Sequence, residues 1–190
     1  MRRTLLLLAA ALVTAAAPPG IRDLDGRVRQ PFAPTGAASV LFFVTTDCPI
    51  SNGYAPEIQR VCAAYGRRGV ACLLLYEDAR ISPDAARTHR VAYGLGGVAA
   101  AIDGDRAIAT AAGATITPEA VVINRRGALE YRGRIDDLYV ALGRRRPGPT
   151  SHDLQEAIDA VLAGRSAAPS RTTALGCYIA PPWHEAKEPS

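Results

Sequence analysis

The seven residues Ala38-Ser39-Val40-Leu41-Phe42-Phe43-Val44 carry no charge and are rich in β-branched and aromatic side chains. A run of that length and character is a strand buried on both faces, and such a strand needs a sheet covered on both sides. The next segment is equally restrictive. Thr45-Thr46-Asp47-Cys48-Pro49 leaves room for a short turn before Tyr54, Ile58, Val61, Cys62 and Tyr65 recur at helical spacing. The predicted unit is strand, turn, helix, with Cys48 at the junction.

The pattern then repeats. Val70–Tyr76 is a second buried strand, and Ser82-Pro83-Asp84 opens a helix with a capping hydroxyl, a proline in the first turn and an acid beside it, ended by Gly94. A short helix is expected between Asp103 and Gly113. Ala120–Ile123, the turn Asn124-Arg125-Arg126-Gly127 and Ala128–Arg132 read as a β-hairpin. Leu154, Ala157, Ile158, Val161 and Leu162 mark a last helix, begun near Thr150 or Ser151 and stopped at Gly164. This order gives an α/β fold, a central mixed sheet with helices on both faces.

Met1-Arg2-Arg3, the apolar run after it and Ala15-Ala16-Ala17 read as a signal peptide over residues 1–17. The run is shorter than the about 20 residues that span a bilayer, so the mature chain is expected to be soluble, secreted or periplasmic. Its remaining length suits one domain, 18–164, followed by a tail rich in Pro, Ala and Ser at 165–190 that carries Cys177. The formal charge of +4 includes Arg2 and Arg3, and the cluster Arg144-Arg145-Arg146 reads as a solvated loop, so no nucleic-acid partner is expected. Export puts all four cysteines where disulfides persist.

Cys48 is the candidate nucleophile. Unpaired N–H groups and the positive end of the macrodipole at a helix start favour a thiolate, the reactive form of the residue. Pro49 fits the first helical turn. The alternative for Cys48 is a small apolar core residue.

These residues resemble the redoxin branch of the thioredoxin superfamily, which includes exported thiol–disulfide oxidoreductases and peroxiredoxins. The resemblance runs from about Gly20 to Gly164 and rests on Thr45-Thr46-Asp47-Cys48-Pro49, the crossover to Val70–Tyr76, the segment Thr117–Gly127, and Tyr131-Arg132-Gly133. It implies a thioredoxin-like fold, a cis Pro118 beside Cys48, and Thr117 offering its backbone to an extended substrate. Pro49, Thr117 and Pro118 are then the substrate-binding positions. The departures matter as well. The usual Cys-x-x-Cys is here Cys48-Pro49-Ile50-Ser51, so resolution needs another thiol. Thr45 matches the peroxiredoxin Thr, but Leu41 stands in place of its Pro. A buried acid common in thioredoxins falls near Phe42, where this chain has none.

Cys62 and Cys72 read as core residues that alternatively bridge each other. Cys177, on the tail, is the candidate resolving thiol; a free thiol or a bond to another chain are the alternatives. A metal reading would join Cys48, Cys177 and His184, but the spacing is not diagnostic, and neither metal nor cofactor is expected. Trp183 flanks that histidine. His89 and His152 read as surface residues, Asp136-Asp137 as a solvated turn, and nothing fixes the direction of Glu119. The leading function is exchange with protein thiols or disulfides. Peroxide reduction through a sulfenic acid at Cys48 is the first alternative, and a binding or metal-carrying module without turnover is the second.

Overall fold

The computed structural model describes residues 19–78 and 80–180. The expected signal peptide, Trp183 and His184 lie outside them. In chain order the elements are β1 (Ile21–Arg22), β2 (Val28–Arg29), β3 (Ala38–Val44), α1 (Pro49–Gly53), α2 (Ala55–Gly66), β4 (Val70–Tyr76), α3 (Pro83–Ala92) and β5 (Ala99–Ile102). The second half supplies α4 (Ala107–Ala112), β6 (Ile116–Thr117), β7 (Glu119–Asn124), β8 (Leu129–Gly133), β9 (Tyr139–Ala141), β10 (Arg144–Arg145), α5 (Asp153–Leu162) and β11 (Cys177–Tyr178).

The central sheet has the order β5-β4-β3-β7-β8, with β3, β4 and β5 parallel, β7 antiparallel to β3, and β8 antiparallel to β7. Every residue of β3 is buried, as its composition predicts. Alternation along the strand divides the core. Val40, Phe42 and Val44 pack with Ile58, Val61 and Tyr65 of α2 and with Leu154 and Ile158 of α5. Leu41 and Phe43 pack on the other face with Ile108, Ala109 and Ala112 of α4. The fold is α/β with helices on both faces.

Local chemistry sets the element ends. The Ser82 hydroxyl accepts the Ala85 N–H at 3.1 Å, capping α3. Asn124 Oδ1 accepts the N–H groups of Arg126 and Ala128, closing the β7–β8 turn. The tail is tied to this frame. Ala167 enters the core, Thr172 Oγ1 lies 2.6 Å from the Tyr131 hydroxyl, and β11 pairs antiparallel with β6. Arg144 and Arg145 are exposed as expected, though they form a hairpin with β9 instead of a loop. No helix among the described residues is long and apolar enough to cross a membrane.

Candidate active site

Cys48 is the N-cap of α1, in extended backbone (φ −80°, ψ 111°), and its carbonyl accepts the Asn52 N–H at 3.0 Å. Its side chain is fully buried. Pro49 takes the first helical position, on the surface. Ser51, where the resemblance would put a second thiol, is also buried, and its hydroxyl has no partner in hydrogen-bonding geometry.

Cys177 reaches the same point from the far end of the chain. In the β11–β6 pairing it stands opposite Thr117, and its Sγ lies 2.9 Å from Cys48 Sγ, both residues being free thiols. When protonated, Cys48 donates to the Thr117 carbonyl at 3.2 Å. Thr117 Oγ1 lies 3.2 Å from Thr45 Oγ1 and donates to the Cys177 carbonyl at 3.4 Å. The Thr117–Pro118 peptide is cis, as the resemblance implies.

The electrostatics distinguish the two sulfurs. Burial disfavours a Cys48 thiolate, yet the hydrogen bond from the Cys177 thiol and the nearby N–H and O–H dipoles of Ser51 outweigh it, so this thiol titrates below the ordinary value. Donating to Cys48, with burial added, pushes Cys177 up to about 11. When the pair loses its first proton, the charge therefore falls on Cys48.

A second pair is brought together in the core. Hydrogen bonding to Cys72 and burial push the Cys62 thiol far up, so Cys62 stays protonated, and both residues pack against the apolar cluster around α2.

His89 corrects the surface reading. Asn52 Nδ2 donates to the Thr46 carbonyl at 2.9 Å, His89 Nε2 donates to Asn52 Oδ1 at 2.9 Å, and the Tyr76 hydroxyl donates to His89 Nδ1 at 3.0 Å. Burial holds the imidazole below its usual pKa, against the nearby Asp78, and the neutral tautomer suits both bonds. From the other side the Asp78 carboxylate accepts the Thr46 N–H and O–H, at 3.1 and 3.0 Å. The turn before Cys48 is held at both flanks. The available signal was spacing, since His89 lies three residues past buried Ala86.

The acids differ too. Asp136 and Asp137 are buried, not solvated. Asp136 accepts the Tyr54 hydroxyl at 2.6 Å and the Leu138 N–H, and Asp137 accepts the Thr150 and Ser151 N–H groups, because the turn needs acceptors for its inward-facing amides. Glu119 accepts the Thr115 N–H at 2.9 Å and pairs with Arg132, fixing the approach to Thr117. Phe42 is a core residue, and a buried carboxyl sits instead at Glu77, just past β4. Arg106 donates to the Glu77 carbonyl and carboxylate and to the Ala180 carbonyl. His152 is exposed as expected. Glu57, Asp136 and His152 bring ligand atoms within 4.8 Å of one another, but Glu57 is paired with Arg60 and Asp136 with Tyr54.

No protein-family model and no curated protein matches the chain. Solved structures do. A hypothetical protein of Sinorhizobium meliloti 1021 is similar at 24% identity over 94% of this chain and 98% of that one, with a TM-score of 0.74. A secreted Mycobacterium tuberculosis disulfide oxidoreductase homologous to E. coli DsbE is similar at 20% identity, over 78% and 96%, with a TM-score of 0.53. A thioredoxin-like protein of Aeropyrum pernix is similar at 16% identity, over 78% and 89%, with a TM-score of 0.54.

Proposed function

We propose that this thioredoxin-like chain is an exported thiol–disulfide oxidoreductase whose working pair is Cys48 and Cys177. The observation that carries the reading is the 2.9 Å approach of two sulfurs 129 residues apart, one of them biased toward the thiolate. Oxidation of the pair forms one S–S bond and releases two electrons and two protons to an acceptor disulfide, which becomes two thiols. In the reverse direction a substrate thiolate attacks the Cys48 sulfur of the disulfide, and the broken bond's electron pair leaves on Cys177, which takes up a proton. A Cys48–substrate mixed disulfide forms, from which Cys48 later leaves as the lower-pKa thiolate. The substrate's second thiol then resolves the mixed disulfide. The solved secreted disulfide oxidoreductase of similar fold and the expected signal peptide support export.

Mass spectrometry of the mature protein, alkylated without reductant, tests the pairing. The expected result is a Cys48–Cys177 bond that mild reduction removes, with loss of disulfide reductase turnover in both Cys48→Ser and Cys177→Ser. Both thiols remaining free after oxidant, or unchanged turnover in Cys48→Ser, would overturn the reading. Stoichiometric peroxide consumption with a thiol donor would replace it with the peroxidase alternative.

A further inference from the structure

The tail occupies the route by which any disulfide must reach Cys48. The nucleophile is fully buried, Cys177 Sγ stands against its sulfur, and β11 uses the hydrogen-bonding edge of β6, continued by the Ile179 N–H donating to the Thr115 carbonyl at 2.9 Å. A protein disulfide gains access by displacing this strand and laying down its own in the same place. The demands of the site on that incoming strand can be read from those it makes on the tail.

They differ from position to position. A Cβ at residue 176 would strike the Thr117 carbonyl and press on Pro118 Cδ at 3.2 Å, so glycine is required before the cysteine. Backbone, not a flexible side-chain end, is the obstacle. Leu175, one step earlier, packs against the core cluster of the α2 face, and Ile179, two steps after the cysteine, packs against the cluster of the α4 face. Tyr178 between them is 85% exposed and imposes nothing. Resting on the reading of Cys48 as the redox nucleophile, we propose that the site selects extended segments of the form apolar-Gly-Cys-any-apolar, with residues 175–179 as a built-in competitor.

The test uses the full chain with Cys177→Ser, alone and combined with Gly176→Val, which evicts the tail strand. The probes are two hexapeptides, Ala-Leu-Gly-Cys-Tyr-Ile and Ala-Leu-Val-Cys-Tyr-Ile, each as its mixed disulfide with 2-nitro-5-thiobenzoate. Dithiobis(nitrobenzoate) is the non-peptide control. The Cys48 thiolate attacks the peptide sulfur, a new S–S bond joins Cys48 to the peptide, and the old bond breaks with its electron pair leaving on the coloured thiobenzoate. Mass spectrometry locates the adduct. A clash of this kind is expected to slow the valine peptide about tenfold or more against the glycine peptide. The glycine peptide is in turn expected to react faster with the Gly176→Val chain than with the single variant. Equal rates for the two peptides, or no gain from Gly176→Val, would overturn the selectivity while leaving Cys48 as a redox thiol. No adduct at Cys48 with either peptide or with the control would overturn both.

Discussion

Cys48 is buried and yet biased toward its charged form, a balance that depends on identifiable donors. Replacing Cys177 with Ala removes the strongest of them and leaves the burial, so the pH profile of Cys48 alkylation is expected to move to higher pH. Ser51→Ala should move it the same way. Glu77 shows the opposite balance. Burial and the neighbouring Asp103 push its carboxyl from an ordinary 4.5 up to about 9, although Arg106 opposes them. Between those pH values the folded state binds a proton that the unfolded chain has released, so stability falls as pH rises. The Tm advantage of Glu77→Gln over the parent is therefore expected to grow from pH 5 to pH 9, and a constant difference would sink that account. Cys48 and Pro118 were legible because each belongs to a local motif. Cys177 was legible only as a candidate, since no local pattern sets the path of a tail. Asn52, His89 and Glu77 were not legible, because their partners come from separate elements.

Elements were easier to read than their contacts. β3 and β4 announce themselves by uninterrupted apolar runs, and α3 by its cap and first-turn proline. Ser82→Ala is expected to cost about 1 kcal/mol, measured as a shift of the urea midpoint at unchanged slope. The short helix anticipated from Asp103 begins only at Ala107. Arg106 adopts a left-handed conformation (φ 61°), and Asp103 caps from outside by accepting the Ile108 and Ala109 N–H groups. Two-residue pairings such as β1–β2 and β6–β11 carry too few side chains to leave a periodic signal. They are fixed by what the rest of the fold places beside them.

At the scale of the whole molecule the proposed Cys48–Cys177 bond would close everything from α1 to β11 into one covalent loop, leaving β1, β2 and β3 outside it. Loop-closure entropy for a separation of this size gives on the order of 4–5 kcal/mol in favour of the oxidised state. Chemical denaturation with and without reductant is expected to show that difference; coincident curves would mean that the bond strains the native state as much as it restricts the unfolded one. The same ring has a mechanical meaning. A force applied to the two ends of the oxidised chain cannot straighten anything between residues 48 and 177, whatever happens to the sheet. Reduction frees a stretch of 129 peptide units at once, a gain on the order of 400 Å of extensible chain. A single molecule held under tension would report the gain of two electrons as a change in its length.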